Sequence, residues 1–129
     1  LLAQDWFKLF LLQSLLIDGF IQSLVYGEFN KLLVENGARD IAMLTEFMQD
    51  CLTDLRKWTD TVFKTAAAES EENKALMQSW IAELLPQVQN AFSAWAGTAL
   101  DQSAVEIAIA VIAERCKKAG LSLNLDAAA

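Results

Sequence analysis

RDIAMLTEFMQDCLTDLRKWTDTVFKTAA, residues 39–67, is the stretch whose reading decides the fold. Apolar residues recur along it in steps of three and four: Ile41, Leu44, Met48, Cys51, Leu55, Trp58 and Val62, with Phe47 and Leu52 widening the stripe. That period predicts a long helix with one buried face. The opposite face carries Asp40, Glu46, Asp50, Lys57, Asp60 and Lys64 in varying degree. The stretch reads as an amphipathic helix.

The segments on either side have the same period. Upstream, residues 2–35 are apolar nearly all round, through Trp6, Phe7, Phe10, Leu15, Leu16, Phe20, Leu24, Phe29 and Leu33 among others. Such a helix must be covered on several sides. Gly19 and Gly27 each weaken it by ~1 kcal/mol relative to alanine, so a bend or a close helix contact is expected there. Asn36 and Gly37 end it with residues that tolerate a left-handed cap. Downstream, Ser70 opens a third helix, with Glu71 and Glu72 at the positive end of its dipole. Its stripe runs through Ala75 or Leu76, Trp80, Leu84, Val88, Ala91 and Trp95, and Pro86 predicts a kink or short break. Asp101 caps a fourth helix with the stripe Val105, Ile109, Ile112 and Cys116, and Gly120 fits its C-terminal cap. The tail at 121–129 is too short to classify, and no coiled-coil heptad is read as sustained. The expected fold class is all-α: four helices with short loops in a single helical domain, residues 1–129, forming half of a larger bundle.

Composition narrows the function. The chain has 129 residues, is 54% apolar by residue type and has a net charge of -7. It lacks the basic footprint that nucleic acid or an anionic membrane surface requires. The apolar run at 9–17 is interrupted by Gln13 and Ser14 and followed by Asp18, short of the ~18 uninterrupted apolar residues of a membrane span. Cys51 and Cys116 are expected to be buried, reduced thiols, which favours the cytoplasm. The four tryptophans, at helical spacing, are expected in the core.

The chain contains no histidine. That removes imidazole general bases, Ser-His triads, most zinc sites and the Glu-x-x-His pairs that hold two irons in helical carboxylate proteins. No glycine-rich phosphate loop or CxxC is present. Glu69, Glu71 and Glu72 cluster at a helix start, where a solvated capping role accounts for them. The sequence therefore predicts no catalytic residue, cofactor site or metal site in this chain.

Three stretches carry a family resemblance. The first is Asp5-Trp6-Phe7 leading to Asp18-Gly19 and Leu24-Val25-Tyr26-Gly27. The second is Met43-Leu44-Thr45-Glu46-Phe47 with Asp50. The third runs from Lys64 to Ser70, then Glu72-Asn73-Lys74-Ala75-Leu76, Trp80-Ile81-Ala82 and Leu85-Pro86. Together they resemble the smaller, β-type oxygenase subunit of bacterial multicomponent phenol hydroxylases, relatives of the toluene and methane monooxygenases. The resemblance spans most of residues 5–120 and corresponds to roughly the C-terminal third of such a subunit. It implies a ferritin-like helical bundle and a structural, non-catalytic role. The implied partners are a large iron-bearing hydroxylase subunit, which holds the di-iron centre, and a small third subunit.

The resemblance also implies a place to look for a relic of a metal site. In metal-binding relatives a glutamate on one long helix meets a Glu-x-x-His on the next, and the matching positions here are Asp18, Asp54 and Lys57. Lys57 would put an ammonium where a metal would sit. The alternative is that Asp54 and Lys57 form an ordinary surface pair three residues apart. Asp18 lies with Ser14 and Gln22 on a thin polar stripe, which fits either reading. For the whole chain, the competing function is a stand-alone helical interaction module with no oxidoreductase role.

Overall fold

The computed structural model describes residues 5–123. The expected helix start at 2–4 and the tail at 124–129 lie outside them. Four helices account for the described residues: α1 (Trp6–Glu35), α2 (Arg39–Glu69), α3 (Glu71–Ala96) and α4 (Gln102–Lys118). No strand occurs among the described residues.

Local chemistry explains the boundaries. The Asp5 carboxylate accepts from the amides of Phe7 and Lys8 and so starts α1. Gly37 ends the α1 turn with a φ of 81°, which a side-chain-bearing residue rarely adopts. Ser70 alone joins α2 to α3; its backbone is extended and its Oγ accepts from the Asn73 amide at 3.0 Å. Gly120, at φ 79°, fills the expected cap position after α4. Asp101 precedes α4 without a side-chain cap bond; its carbonyl, not its carboxylate, receives the Ala104 amide. Pro86 does not break α3. The Ala82 carbonyl that Pro86 leaves without a donor belongs to an exposed residue and can turn to water, while Leu85 and Val88 anchor the helix on either side.

α1 is the central helix. It packs against each of the other three, and its Leu11, Leu15, Leu16, Phe20 and Leu24 form the middle of the core. By length and composition alone Trp6–Glu35 could cross a bilayer, which the sequence reading had discounted. Its core positions are those of a bundle's inner helix. Phe20 stacks on Phe92 of α3 with ring centroids 5.0 Å apart, and Phe10 meets Phe63 of α2 at 5.2 Å. α1 is also not a uniform α-helix. Its turns widen to π-type over Leu12–Ile17 and Ile21–Phe29, on either side of Gly19. At Gly19 α4 comes close: a Cβ there would lie 2.8 Å from Ile112 Cγ1.

The inward faces differ from the stripes read in the sequence. α3 buries Met77, Ile81, Leu85, Val88 and Ala96, a track one residue round from the expected one. Both tracks are apolar, so the period alone could not choose between them. α4 buries Val105, Ile112 and Cys116 of its expected stripe, leaves Ile109 half-buried, and adds Ala104, Ala108 and Arg115. On α2 the stripe is turned outward. Ala42, Thr59, Phe63 and Ala67 are its buried residues, whereas Leu44 is 70% exposed and Trp58 58%. Cys51, expected in the core, is exposed as well. So are Trp6 and Trp95, which leaves Trp80 alone of the four tryptophans packed against the core. The reason is visible between α1 and α2, where polar groups pair and hold α2's other face inward.

Candidate functional site

The polar stripe Ser14, Asp18, Gln22 on α1 faces α2, and it continues to Asn30. Thr45 Oγ1 of α2 donates to Asn30 Oδ1, Gln22 donates to Thr53 Oγ1 at 3.1 Å, and Arg56 Nη1 donates to Gln22 Oε1 at 3.3 Å. Further along, Thr59 and Asp60 meet Arg115, which reaches in from α4. Residues of three helices thus form one polar seam.

Arg115 is its centre. The side chain is 2% exposed. Its Nε and Nη2 both donate to Asp60 Oδ1, at 2.9 and 2.7 Å. Nη1 donates to the Leu15 carbonyl and Nη2 to the Ser14 carbonyl, each at 3.2 Å. Both carbonyls lie in the first wide-turned stretch of α1, so the guanidinium fork ties the irregular backbone to the two neighbouring helices. Arg56 adds a second contact to Asp60, 3.6 Å from its other carboxylate oxygen. Between these groups lies a cavity of about 10 Å³ lined by Ser14, Asp18, Gln22, Leu52, Leu55, Arg56, Thr59 and Arg115. A space of that size takes a single water at most and no substrate.

The structure separates the three residues read as a relic. Asp18 accepts from Gln13 Nε2 at 2.8 Å and lines the cavity. Asp54 and Lys57 point to the outside of α2, with side chains 80% and 72% exposed, and pair with each other at 2.9 Å. That contact raises the Lys57 ammonium pKa, the hydrogen bond it donates to Asp54 contributing most. Among the described residues the three do not converge: Asp54 and Lys57 pair with each other on an exposed stretch of α2, away from Asp18. The side chains that meet the Asp18 stripe are Thr53, Arg56 and Thr59, because α2 is rotated from its apolar stripe toward its polar one.

Arg115 was missed altogether. One signal could have found it: it sits three residues after Ile112 and next to Cys116, on the α4 stripe itself. Beside it the Cys116 thiol is held neutral, its pKa pushed up to about 12 chiefly by burial, with the Arg115 charge opposing.

The seam's donors do not fit a di-iron centre. Asp60 is engaged by two guanidiniums, Asp18 by an amide, and no group of three His, Cys, Asp or Glu side chains that could hold a metal lies together among the described residues. Arginine supplies five donors and no lone pair at neutral pH, so it can neither ligate a metal nor act as a base. What the arrangement does chemically is pair charge and lock helices.

The model of the methane, phenol and alkene hydroxylases matches residues 1–70, more than half of the chain. The chain belongs to that family. Within the family it is 59% identical over 121 residues to the phenol 2-monooxygenase oxygenase component MhpL of Acinetobacter pittii, and 39% identical over 118 residues to the component DmpL of a Pseudomonas strain. These alignments take in 94% and 92% of this chain but 36% of each relative, so the chain spans about a third of their length. A crystal structure of xenon-pressurised phenol hydroxylase from Pseudomonas sp. OX1 superposes with a TM-score of 0.89 at 36% identity, over 95% of this chain and 38% of that one. The helices of this hydroxylase-family chain thus have the ferritin-like arrangement that the resemblance implied.

Proposed function

We propose that the chain is a structural, non-catalytic part of the β-type oxygenase subunit of a multicomponent phenol-type monooxygenase, corresponding to the C-terminal third of such a subunit and bracing a large iron-bearing subunit. The observation that carries this reading is the Arg115–Asp60 seam. Where a di-iron bundle needs converging carboxylates and imidazoles, this one has two guanidiniums and backbone carbonyls. The protein's contribution is then rigidity: a central helix held by a buried fork to two neighbours, presenting an outer surface to partners. Oxygen activation and the aromatic substrate belong to the large subunit, and a small third subunit completes the protomer. The free thiols Cys51 and Cys116 suit a reducing compartment, and the cytoplasm is the proposed location.

The alternative of a self-sufficient interaction module is disfavoured by the outer face of α2. Ile41, Met43, Leu44, Phe47, Met48, Leu55 and Trp58 are all exposed there, more than an isolated soluble monomer ordinarily carries in one area.

Co-expression with the large oxygenase subunit of a phenol hydroxylase tests the proposal. The chain should co-purify with that subunit, and iron should stay with the subunit when the two are separated. Iron retained in stoichiometric amount by the isolated chain after dialysis against a chelator would sink the reading.

A further inference from the structure

The wide turns keep the polar stripe of α1 on one side. An ordinary helix advances by ~100° per residue, so Ser14 and Asn30 would stand ~160° from each other around it. In α1 Ser14 shares the seam cavity with Arg56 and Thr59 of α2, and Asn30 accepts from Thr45 of the same helix. Turns of more than 3.6 residues bring both to α2.

The two wide stretches are held by different means. Ile21–Phe29 includes Gln22, whose side chain is tied to Thr53 and Arg56 of α2. Leu12–Ile17 is held through its main chain, where the Ser14 and Leu15 carbonyls each accept from Arg115. The Asp18 amide meanwhile reaches back five residues, to the Gln13 carbonyl. In an ordinary turn it would bond Ser14, one of the two carbonyls that Arg115 takes. A side-chain donor that enters the ladder in this way opens the turn around it. Gly19 gives the fork its access, since a Cβ there would lie 3.6 Å from Arg115 Nη1. Asp60 accepts from Nε and Nη2 together, so the planar fork is fixed and cannot follow the backbone.

We infer that Arg115 sets the register of α1. By taking the Ser14 and Leu15 carbonyls it displaces the amides that an ordinary turn would bring there, and so selects the wide turn over Leu12–Ile17. Without the fork the same segment closes to ordinary turns. The residues before it then rotate by ~100° against the rest of α1, which parts Lys8 from Glu83 and Phe10 from Trp58. Arg115 is thus a positioning residue. From α4 it decides which side of the first turns of α1 meets α2 and α3.

Through-hydrogen-bond coupling in nuclear magnetic resonance identifies the carbonyl that each amide uses, and so reads the register itself. It is measured on the full 129-residue chain, carrying Leu44→Asp and Leu55→Asp on the open face of α2 for solubility. With Arg115 present, the Asp18 nitrogen should couple to the Gln13 carbonyl carbon. In Arg115→Met that coupling should be lost, and one to Ser14 should replace it. Arg115→Lys keeps a cation beside Asp60 but cannot bond both carbonyls, so the Asp18 signal should divide between the two forms. This milder variant decides alone if Arg115→Met fails to fold. Ile112→Ala removes packing beside Gly19 without touching the fork, and should leave the Gln13 coupling in place. Undiminished Gln13 coupling in either Arg115 variant would overturn the inference, because core packing would then set the register. Loss of that coupling in Ile112→Ala, or its absence in the parent chain, would overturn it as well.

Discussion

Arg115 is the residue on which the packing of three helices depends. Its fork gives Asp60 two hydrogen bonds and caps the Ser14 and Leu15 carbonyls in a region that excludes most water. Removing one member of such a pair strands the other, and the cost exceeds that of an exposed pair. Arg115→Met should therefore lower stability by roughly 3 kcal/mol, a value moderated by the partial exposure of Asp60. Arg115→Lys keeps the charge but cannot reach four acceptors, and should recover only part of the loss. Urea denaturation with the partner present measures both. Lys57→Met, on the open side of α2, should leave the denaturation midpoint unchanged; a large drop would restore the relic-site reading. The Cys116 thiol adds a pH signature. Its folded pKa, about 12, is raised by burial above the thiol's ordinary value of 9.0, so the neutral thiol favours folding. That contribution is complete below pH 9.0 and is lost as pH rises toward about 12. Stability curves between those limits should fall less steeply in Cys116→Ala, after allowing for the lost packing.

Among the elements, α1 is the least regular and the most constrained. Its wide turns rotate the side chains out of the 3.6-residue phase, which lets one helix offer core residues to three neighbours and a polar stripe to α2. Gly19, between the wide turns, lets α4 approach. An alanine Cβ would meet Ile112 Cγ1 at 2.8 Å, close to the root of that side chain and not at a flexible tip. Gly19→Ala should therefore destabilise by about 1–3 kcal/mol despite its better helix propensity. Gly19→Ala combined with Ile112→Val should recover part of the loss if the clash is the cause. Thermal unfolding of the two variants decides it. An increase in stability on Gly19→Ala alone would show that α1 and α4 separate more easily than their packing indicates.

At the scale of the molecule, the charge and the apolar surface sit unusually. Seven of the thirteen exposed large apolar side chains among the described residues lie on α2, and the acids between them supply solubility without covering them. The isolated chain should bind a hydrophobic dye strongly, and Leu44→Asp with Leu55→Asp should reduce that binding several-fold while far-ultraviolet circular dichroism stays helical. Dye binding unaffected by the two substitutions would place the sticky surface elsewhere, on α1. The sequence reading had looked for it there, because α1 is apolar nearly all round. In the fold, α1 is the helix the others cover, and the surplus falls on α2.

Much of this was legible in the residues. The 3.6-residue period at 39–67 and in its neighbours specified four helices, and Gly37, Ser70 and Gly120 marked where they stop, because these features act within a few residues of chain. The lack of histidine ruled out the commoner metal chemistries before any coordinate was known. The tertiary structure alone decided which way each helix turned. On α2 and α3 two faces were each able to pack, and the choice fell to contacts distant in sequence: Gln22 with Thr53, Asn30 with Thr45, Phe20 with Phe92. Rotating α2 by about one residue replaced Asp54 and Lys57 with Arg56 and Thr59 beside the Asp18 stripe, and brought in Arg115 from 55 positions beyond Asp60. A pattern read along the chain counts apolar faces, but a buried guanidinium is satisfied only by acceptors that converge in three dimensions, and those are set by the fold.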